Sequence, residues 1–217
     1  MKKNDLYLSL ALFTLFVLWT VALCFIDVKA IGPEGSSVGM ASLNGWFRKL
    51  TGINITLYLV TDWLGLVSIG IAFSFGVMGF TQLIKRKSLL KVDGNILILG
   101  IFYVLVIIVF IFFEELSINY RPVLIEGVLE SSYPSTTTLL SICINETAAL
   151  QFKQRLKNTA LKKSILIITG LFTAFMVIGR AFSGVHWISD IIGAILVSTA
   201  LVLLYRYFVS IKNKEGS

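Results

Sequence analysis
At 217 residues the chain is long enough for one domain, and with 56% apolar and only 14% charged residues it lies outside the range of soluble globular proteins. A net charge of +7 from 19 basic and 12 acidic residues does not mark a nucleic-acid binder, because the basic residues sit in short clusters between apolar runs, as in loops beside an anionic leaflet. One histidine and two cysteines, Cys24 and Cys143, both within apolar runs, suggest neither a metal site nor a disulfide, and no cofactor is implied.

The expectation is all-α: a polytopic membrane bundle, one integral domain over residues 1–217, with about six spans. Leu6 to Ile26 is the first, since about 20 apolar residues are needed to cross a bilayer core. Lys2 and Lys3 ahead of it and Val28-Lys29-Ala30 after it imitate a secretory signal. The run is long for such a segment, however, and its removal would leave an odd number of spans, so it is read as a retained helix. The longest outer loop, Asp27 to Thr56, follows, with a turn at Gly32-Pro33-Glu34-Gly35. Its segment from Met40 to Leu50, with Trp46 and Phe47 beside Arg48 and Lys49, suits the membrane interface.

Leu57 to Ile84, Ile96 to Phe113 and Ser164 to Ile178 are further spans. Two more are interrupted by polar residues: Thr138 to Phe152 carries Asn145 and Glu146, and Trp187 to Phe208 carries Asp190. Such groups face a bundle interior or a cavity. Glu146 is read as a structural hydrogen-bonding residue, and Asp62, near the outer end of the second span, as an interfacial or capping one.

Orientation follows from the basic residues, which accumulate in short cytoplasmic loops. With the N-terminus inside, the inner segments hold Lys2 and Lys3, then Lys85, Arg86, Lys87 and Lys91, then Lys153, Arg155, Lys157, Lys162 and Lys163, and finally Arg206, Lys212 and Lys214. The outer segments keep only Lys29, Arg48, Lys49, Arg121 and Arg180. Both termini are therefore expected in the cytoplasm of a multi-pass cell-membrane protein.

This topology brings the chemically interesting residues to the outer face. A corner as short as Arg180 to His186 makes its flanking spans an antiparallel hairpin. His186 and Asp190, four apart, share a helical face, so the carboxylate can reach an imidazole nitrogen. Arg121 lies on the preceding outer loop, and Pro134-Ser135 opens the fourth span. Guanidinium forks and a helix start bearing Ser135, Thr136 and Thr137 suit a tetrahedral anion. A histidine oriented by a carboxylate is a competent nucleophile, and the reaction class is phosphoryl transfer through a phosphohistidine. Each residue also has an ordinary use: an interfacial arginine anchors to headgroups, a His–Asp pair satisfies itself, and Ser135 or Thr136 caps a helix. Their convergence on one face is what argues for a site.

The run Arg180-Ala181-Phe182-Ser183-Gly184-Val185-His186-Trp187-Ile188-Ser189-Asp190 resembles the third signature of the type-2 phosphatidic acid phosphatase and vanadium haloperoxidase superfamily. Asn119-Tyr120-Arg121-Pro122 resembles the end of the first signature, and Tyr133-Pro134-Ser135 the start of the second. The signatures lie between about residues 114 and 190, and the resemblance extends over roughly Asp62 to Phe208. It implies His186 as nucleophile, Asp190 as its orienting partner, Arg121 and Arg180 as phosphate ligands, and Ser135 as a donor at the helix start. It also implies a metal-free phosphatase acting on a membrane lipid phosphate or diphosphate, such as the undecaprenyl carrier recycled by bacterial members.

Three positions depart from the signatures. Glu114 stands where the first opens with Lys, Thr137 where the second ends in the His that protonates the leaving group, and Gly179 where a Ser precedes Arg180. A positioned general acid contributes about 10²- to 10⁴-fold. An alkoxide needs that proton far more than a departing phosphate does, so a lipid diphosphate is the expected substrate over phosphatidate. Glu114 and Glu115 are the neighbouring carboxyls available as substitute donors. The alternative is a weak or inactive relative that binds or transports a phosphorylated lipid headgroup.

Overall fold
The computed structural model describes residues 2–215, with side chains from 3 to 213; the Lys2 and Lys214 side chains counted above lie outside the described residues. Among the described residues seven α-helices form: α1 (Lys2–Phe25), α2 (Ala41–Thr51), α3 (Ile55–Arg86), α4 (Gly94–Leu116), α5 (Thr136–Arg155), α6 (Thr159–Phe182) and α7 (Ile188–Glu215). Six are long; the short α2 covers most of the Met40 to Leu50 segment that was expected at the interface.

Among the described residues, five helices are long and apolar enough to cross a membrane: α1, α3, α4, α6 and α7. The interrupted fourth segment, α5, is 20 residues long, about 30 Å at 1.5 Å per residue. It reaches that depth through its neighbours rather than its own hydropathy. It packs against α3, α6 and α7, and Ser141, Asn145, Thr147 and Gln151 are fully buried along it. Burial without partners is costly, and three of the four reach adjacent helices: Ser68 on α3 donates to Asn145 Oδ1 at 3.2 Å, Tyr103 on α4 meets the Thr147 hydroxyl at 3.3 Å, and Gln151 Nε2 donates to Asn95 O at 3.2 Å, while Ser141 Oγ and Asn145 Nδ2 have no hydrogen-bond partner among the described residues. Glu146 is half-buried, and its carboxylate makes no hydrogen bond among the described residues, contrary to the structural role read for it.

α1 lies along α7, joined by Ser9 Oγ donating to Ala200 O at 2.8 Å and Trp19 Nε1 donating to Ser189 O at 3.0 Å. Phe16 packs edge-on to Phe113 of α4 and stacks on Tyr133, pairs worth about 0.5–1.5 kcal/mol each beyond their buried area. Helix ends sort into two groups. At one end Asn95 donates to both Gln154 and Asn213, and Arg206 faces Asp5 at 3.7 Å. At the other end the 26–54 loop, the 117–135 loop and the 183–187 corner interlock, and every candidate site residue lies there or within a turn or two of it.

The 117–135 segment is more ordered than a plain loop. It doubles back as a narrow antiparallel hairpin: Tyr120 pairs with Ser131 and Ile125 with Val128, and Glu126 and Gly127 turn it at φ 52° and 80°. Two left-handed residues match the twist of a two-residue hairpin turn. The 183–187 corner is tight for another reason. Gly184 sits at φ 69°, and a Cβ there would lie 2.1 Å from the Gly52 carbonyl oxygen; the α6–α7 corner thus rests directly on the α2–α3 turn, where Asn54 N donates to Ser183 O at 2.9 Å.

Candidate active site
His186 is buried in the corner before α7. Its Nδ1 lies 3.1 Å from the Ser132 carbonyl oxygen and 3.0 Å from Ser132 Oγ. A carbonyl only accepts, so the imidazole proton belongs on Nδ1, and the lone pair is left on Nε2. Nε2 is buried and has no hydrogen-bond partner.

Asp190 does not reach the imidazole as the i, i+4 spacing suggested: Oδ2 is 3.9 Å from Nδ1, beyond a hydrogen bond. Ser132 stands between them, its hydroxyl donating to Asp190 Oδ2 at 2.5 Å. The carboxylate is otherwise filled by the Trp187 amide at 3.0 Å, Asn119 Nδ2 at 3.2 Å and Ser189 Oγ at 3.3 Å. A buried carboxylate needs such donors to remain in place. The lattice continues outward, because Asn44 of α2 donates to Ser189 Oγ at 2.9 Å and accepts from the Ser189 amide at 3.1 Å. Asn119 Oδ1 in turn accepts from the Gly39 amide at 3.2 Å.

The two arginines come to the imidazole from different elements, near enough for both charges to act on it. With burial as the larger cause, they hold the His186 pKa well below the ordinary 6.5, which favours the neutral ring near pH 7. Arg180 is buried and clamped to α3: Nη1 donates to Tyr58 O and Thr61 Oγ1, both at 3.2 Å, and Nη2 to Asp62 Oδ1 at 3.0 Å. Its guanidinium also lies 4.6 Å from the centroid of the Tyr58 ring. Asp62 is thus an ion-pair partner rather than a helix cap. Arg121 Nε lies 3.0 Å from Glu130 Oε2 across the hairpin, but the N–H is misdirected for a hydrogen bond, and Arg121 Nε and Nη1 and Arg180 Nε are buried without hydrogen-bond partners.

The helix-start residues divide. Ser135 is buried; its hydroxyl donates to Thr138 Oγ1 at 3.1 Å and its amide to Asp190 O at 3.2 Å, so both its donors are engaged within the protein. Thr136 and Thr137, half-buried, line a cleft of about 190 Å³ with Asp62, Gly65 and Ser141, and lie in the first turn, where helix amides lack intrahelical acceptors. Glu114 and Glu115 are exposed at the end of α4, and neither carboxylate makes a hydrogen bond among the described residues. Glu114 is nevertheless close enough to Arg121 and Glu130 to feel their charges. Gly179 is explained by packing: a Cβ there would lie 2.7 Å from Thr61 Cγ2.

Sequence reasoning missed Ser132, Glu130 and Asn44. Ser132 directly precedes the Tyr133-Pro134-Ser135 run, and Asn119 opens the run ending in Arg121-Pro122, so adjacency to those runs was the available signal. Glu130 and Asn44 gave none, because their partners lie across a hairpin and in a distant helix.

Residues 111–214 match the PAP2 superfamily. No curated protein sequence matches the chain significantly. In three dimensions the chain is similar to the crystal structure of a transmembrane PAP2 type phosphatidylglycerolphosphate phosphatase from Bacillus subtilis, with a TM-score of 0.56 over 94% of this chain and 96% of that one at 21% identity, a likeness of fold. The matched segment contains the hairpin, α5, α6, the corner and most of α7, which together carry Arg121, Ser132, Arg180, His186 and Asp190. Through that segment the chain is similar to the PAP2 superfamily, and its fold is similar to that of a transmembrane PAP2 protein.

Proposed function
We propose that this protein removes a phosphate from a membrane lipid at the extracytoplasmic face, with His186 as nucleophile and an isoprenoid diphosphate as the favoured substrate. The observation that carries the reading is the buried, unpartnered Nε2 of His186, whose ring is fixed at Nδ1 by Ser132. Nε2 attacks phosphorus; an N–P bond forms as the P–O bond to the leaving group breaks, and the leaving oxygen takes the electron pair. The unpartnered N–H groups of Arg121 and Arg180 would bind the equatorial oxygens. Nδ1–H stays on Ser132 O, and the Ser132–Asp190 lattice steadies the imidazolium charge. Water then hydrolyses the phosphohistidine. The extracytoplasmic placement rests on the concentration of basic residues at the opposite end of the bundle.

Thr137 cannot protonate an alkoxide as an imidazolium would, which favours a phosphate leaving group. The assay is phosphate release by purified protein from undecaprenyl diphosphate, phosphatidate and phosphatidylglycerolphosphate, the last being the substrate in the name of the Bacillus subtilis protein. Release abolished by His186→Ala and fastest on the diphosphate is expected; equal or reversed preference removes the leaving-group explanation. A second reading, binding without turnover, is favoured by the carboxylates at both arginines, Glu130 at Arg121 and Asp62 at Arg180, which compete with a phosphate. Saturable binding of a lipid phosphate with no release from any of the three would establish it.

A further inference from the structure
Beside the site, and separate from its chemistry, is a groove of about 810 Å³ lined by Lys29, Trp46, Arg48, Lys49, Ile53 and Trp187, among others. Five basic residues belong to the segments assigned to this end of the bundle, and three of them line this one groove. Lys29 is half used, 2.7 Å from Asp27 Oδ1. Arg48 has no acidic partner among the described residues: its guanidinium lies 5.5 Å from the centroid of the Trp187 ring, and burial alone presses its pKa down. Lys49 is exposed and makes no ion pair among the described residues.

The same helix presents a second stripe. Leu43, Trp46 and Leu50, spaced i, i+3 and i+7, are exposed, Trp46 at 61% and Leu50 at 67%. α2 connects the ends of two membrane-spanning helices, so this stripe lies at the bilayer surface. An apolar stripe with an indole, next to unpaired cations, is the pattern of a helix seated among lipid headgroups.

We propose that the α2 groove binds the phosphodiester of an anionic bilayer phospholipid, with Lys49 and Arg48 on the phosphate, Trp46 at the headgroup level and Leu43 and Leu50 among the acyl chains. The occupant is a lipid rather than a protein because the apolar stripe and the cations adjoin on one short helix at membrane level, and it is anionic because Arg48 and Lys49 carry no carboxylate of their own. Because the bound lipid is a diester and need not be cleaved, the inference stands independently of the proposed reaction.

The test reconstitutes the full chain in mixed micelles containing brominated phosphatidylglycerol or brominated phosphatidylcholine and follows quenching of tryptophan fluorescence. Trp46 and Trp187 line the groove, while Trp19 and Trp63 give a background common to both lipids. Saturable quenching at lower mole fraction by phosphatidylglycerol is expected. Lys49→Gln should weaken it about fivefold, the effect of one basic residue near an anionic surface, and Lys49→Arg should retain it. The exposed Lys49 is the residue to change, since its replacement leaves the Arg48–Trp187 packing intact. Lys85→Gln/Lys87→Gln, at the other end of the bundle, controls for bulk charge. Equal quenching by the two lipids, full preference in Lys49→Gln, or equal loss in the Lys85/Lys87 control would each overturn the proposal.

Discussion

The Ser132 hydroxyl donates to Asp190 at 2.5 Å while the backbone carbonyl of the same serine accepts from His186 Nδ1 at 3.1 Å. One residue of the hairpin thus fixes the imidazole tautomer and connects the imidazole to its carboxylate.

Ser132→Ala keeps the carbonyl and removes the hydroxyl. A hydrogen bond to a charged group is worth about 1.5–3 kcal/mol, so kcat is expected to fall roughly 10- to 100-fold with KM little changed. Steady-state kinetics on the best lipid substrate check this; a loss confined to KM would assign Ser132 to substrate binding instead.

The depressed His186 pKa sets the pH dependence. Protonation removes the Nε2 lone pair, so kcat/KM should be flat from neutral pH down through 6.5 and decline only below it, toward the lowered folded value. Arg121→Gln removes one of the charges opposing protonation and should shift that acid limb upward while lowering the plateau. Stability follows the same sign. Below pH 6.5 the unfolded chain takes up a proton that the folded state resists, so stability falls as pH drops through that window and is unaffected above it. An acid limb unmoved by Arg121→Gln would show that another group controls it.

Thr137→His should restore a proton donor for alkoxide leaving groups, because the cleft of about 190 Å³ beside Thr137 has room for an imidazole. Phosphatidate hydrolysis is expected to rise by up to about 10²- to 10⁴-fold, with a smaller gain on the diphosphate. Parallel rates on both lipids for wild type and variant discriminate; equal gains would mean that leaving-group protonation does not set the preference.

Gly184→Ala places a Cβ against the Gly52 carbonyl in a left-handed backbone conformation. The backbone alone costs about 1–2 kcal/mol, and the overlap forces the corner off the α2–α3 turn. A lower Tm in detergent is expected, together with loss of activity, since His186 is two residues away. Unchanged Tm and activity would mean that the corner is free to shift.

Six long apolar or interrupted segments, their order, and the gathering of Arg121, Arg180, His186 and Asp190 at one end were legible because helix length, hydropathy and chain alternation are properties of the sequence alone. α2 was readable too, since Trp46, Phe47, Arg48 and Lys49 fall within one amphipathic stretch. α5 was readable in extent but not in character: its polar face survives at membrane depth only because Ser68, Tyr103 and their helices enclose it. The relations that define the site were decided by the tertiary structure. Spacing put Asp190 one turn from His186, but the hairpin delivered Ser132 between them; Glu130 met Arg121 across that hairpin, and Asp62 met Arg180 from another helix. Local periodicity fixes which way a residue faces along its own helix, whereas partners from distant segments are selected by packing, and hydrogen bonds are too short-ranged to be inferred until that packing has brought them within about 3 Å.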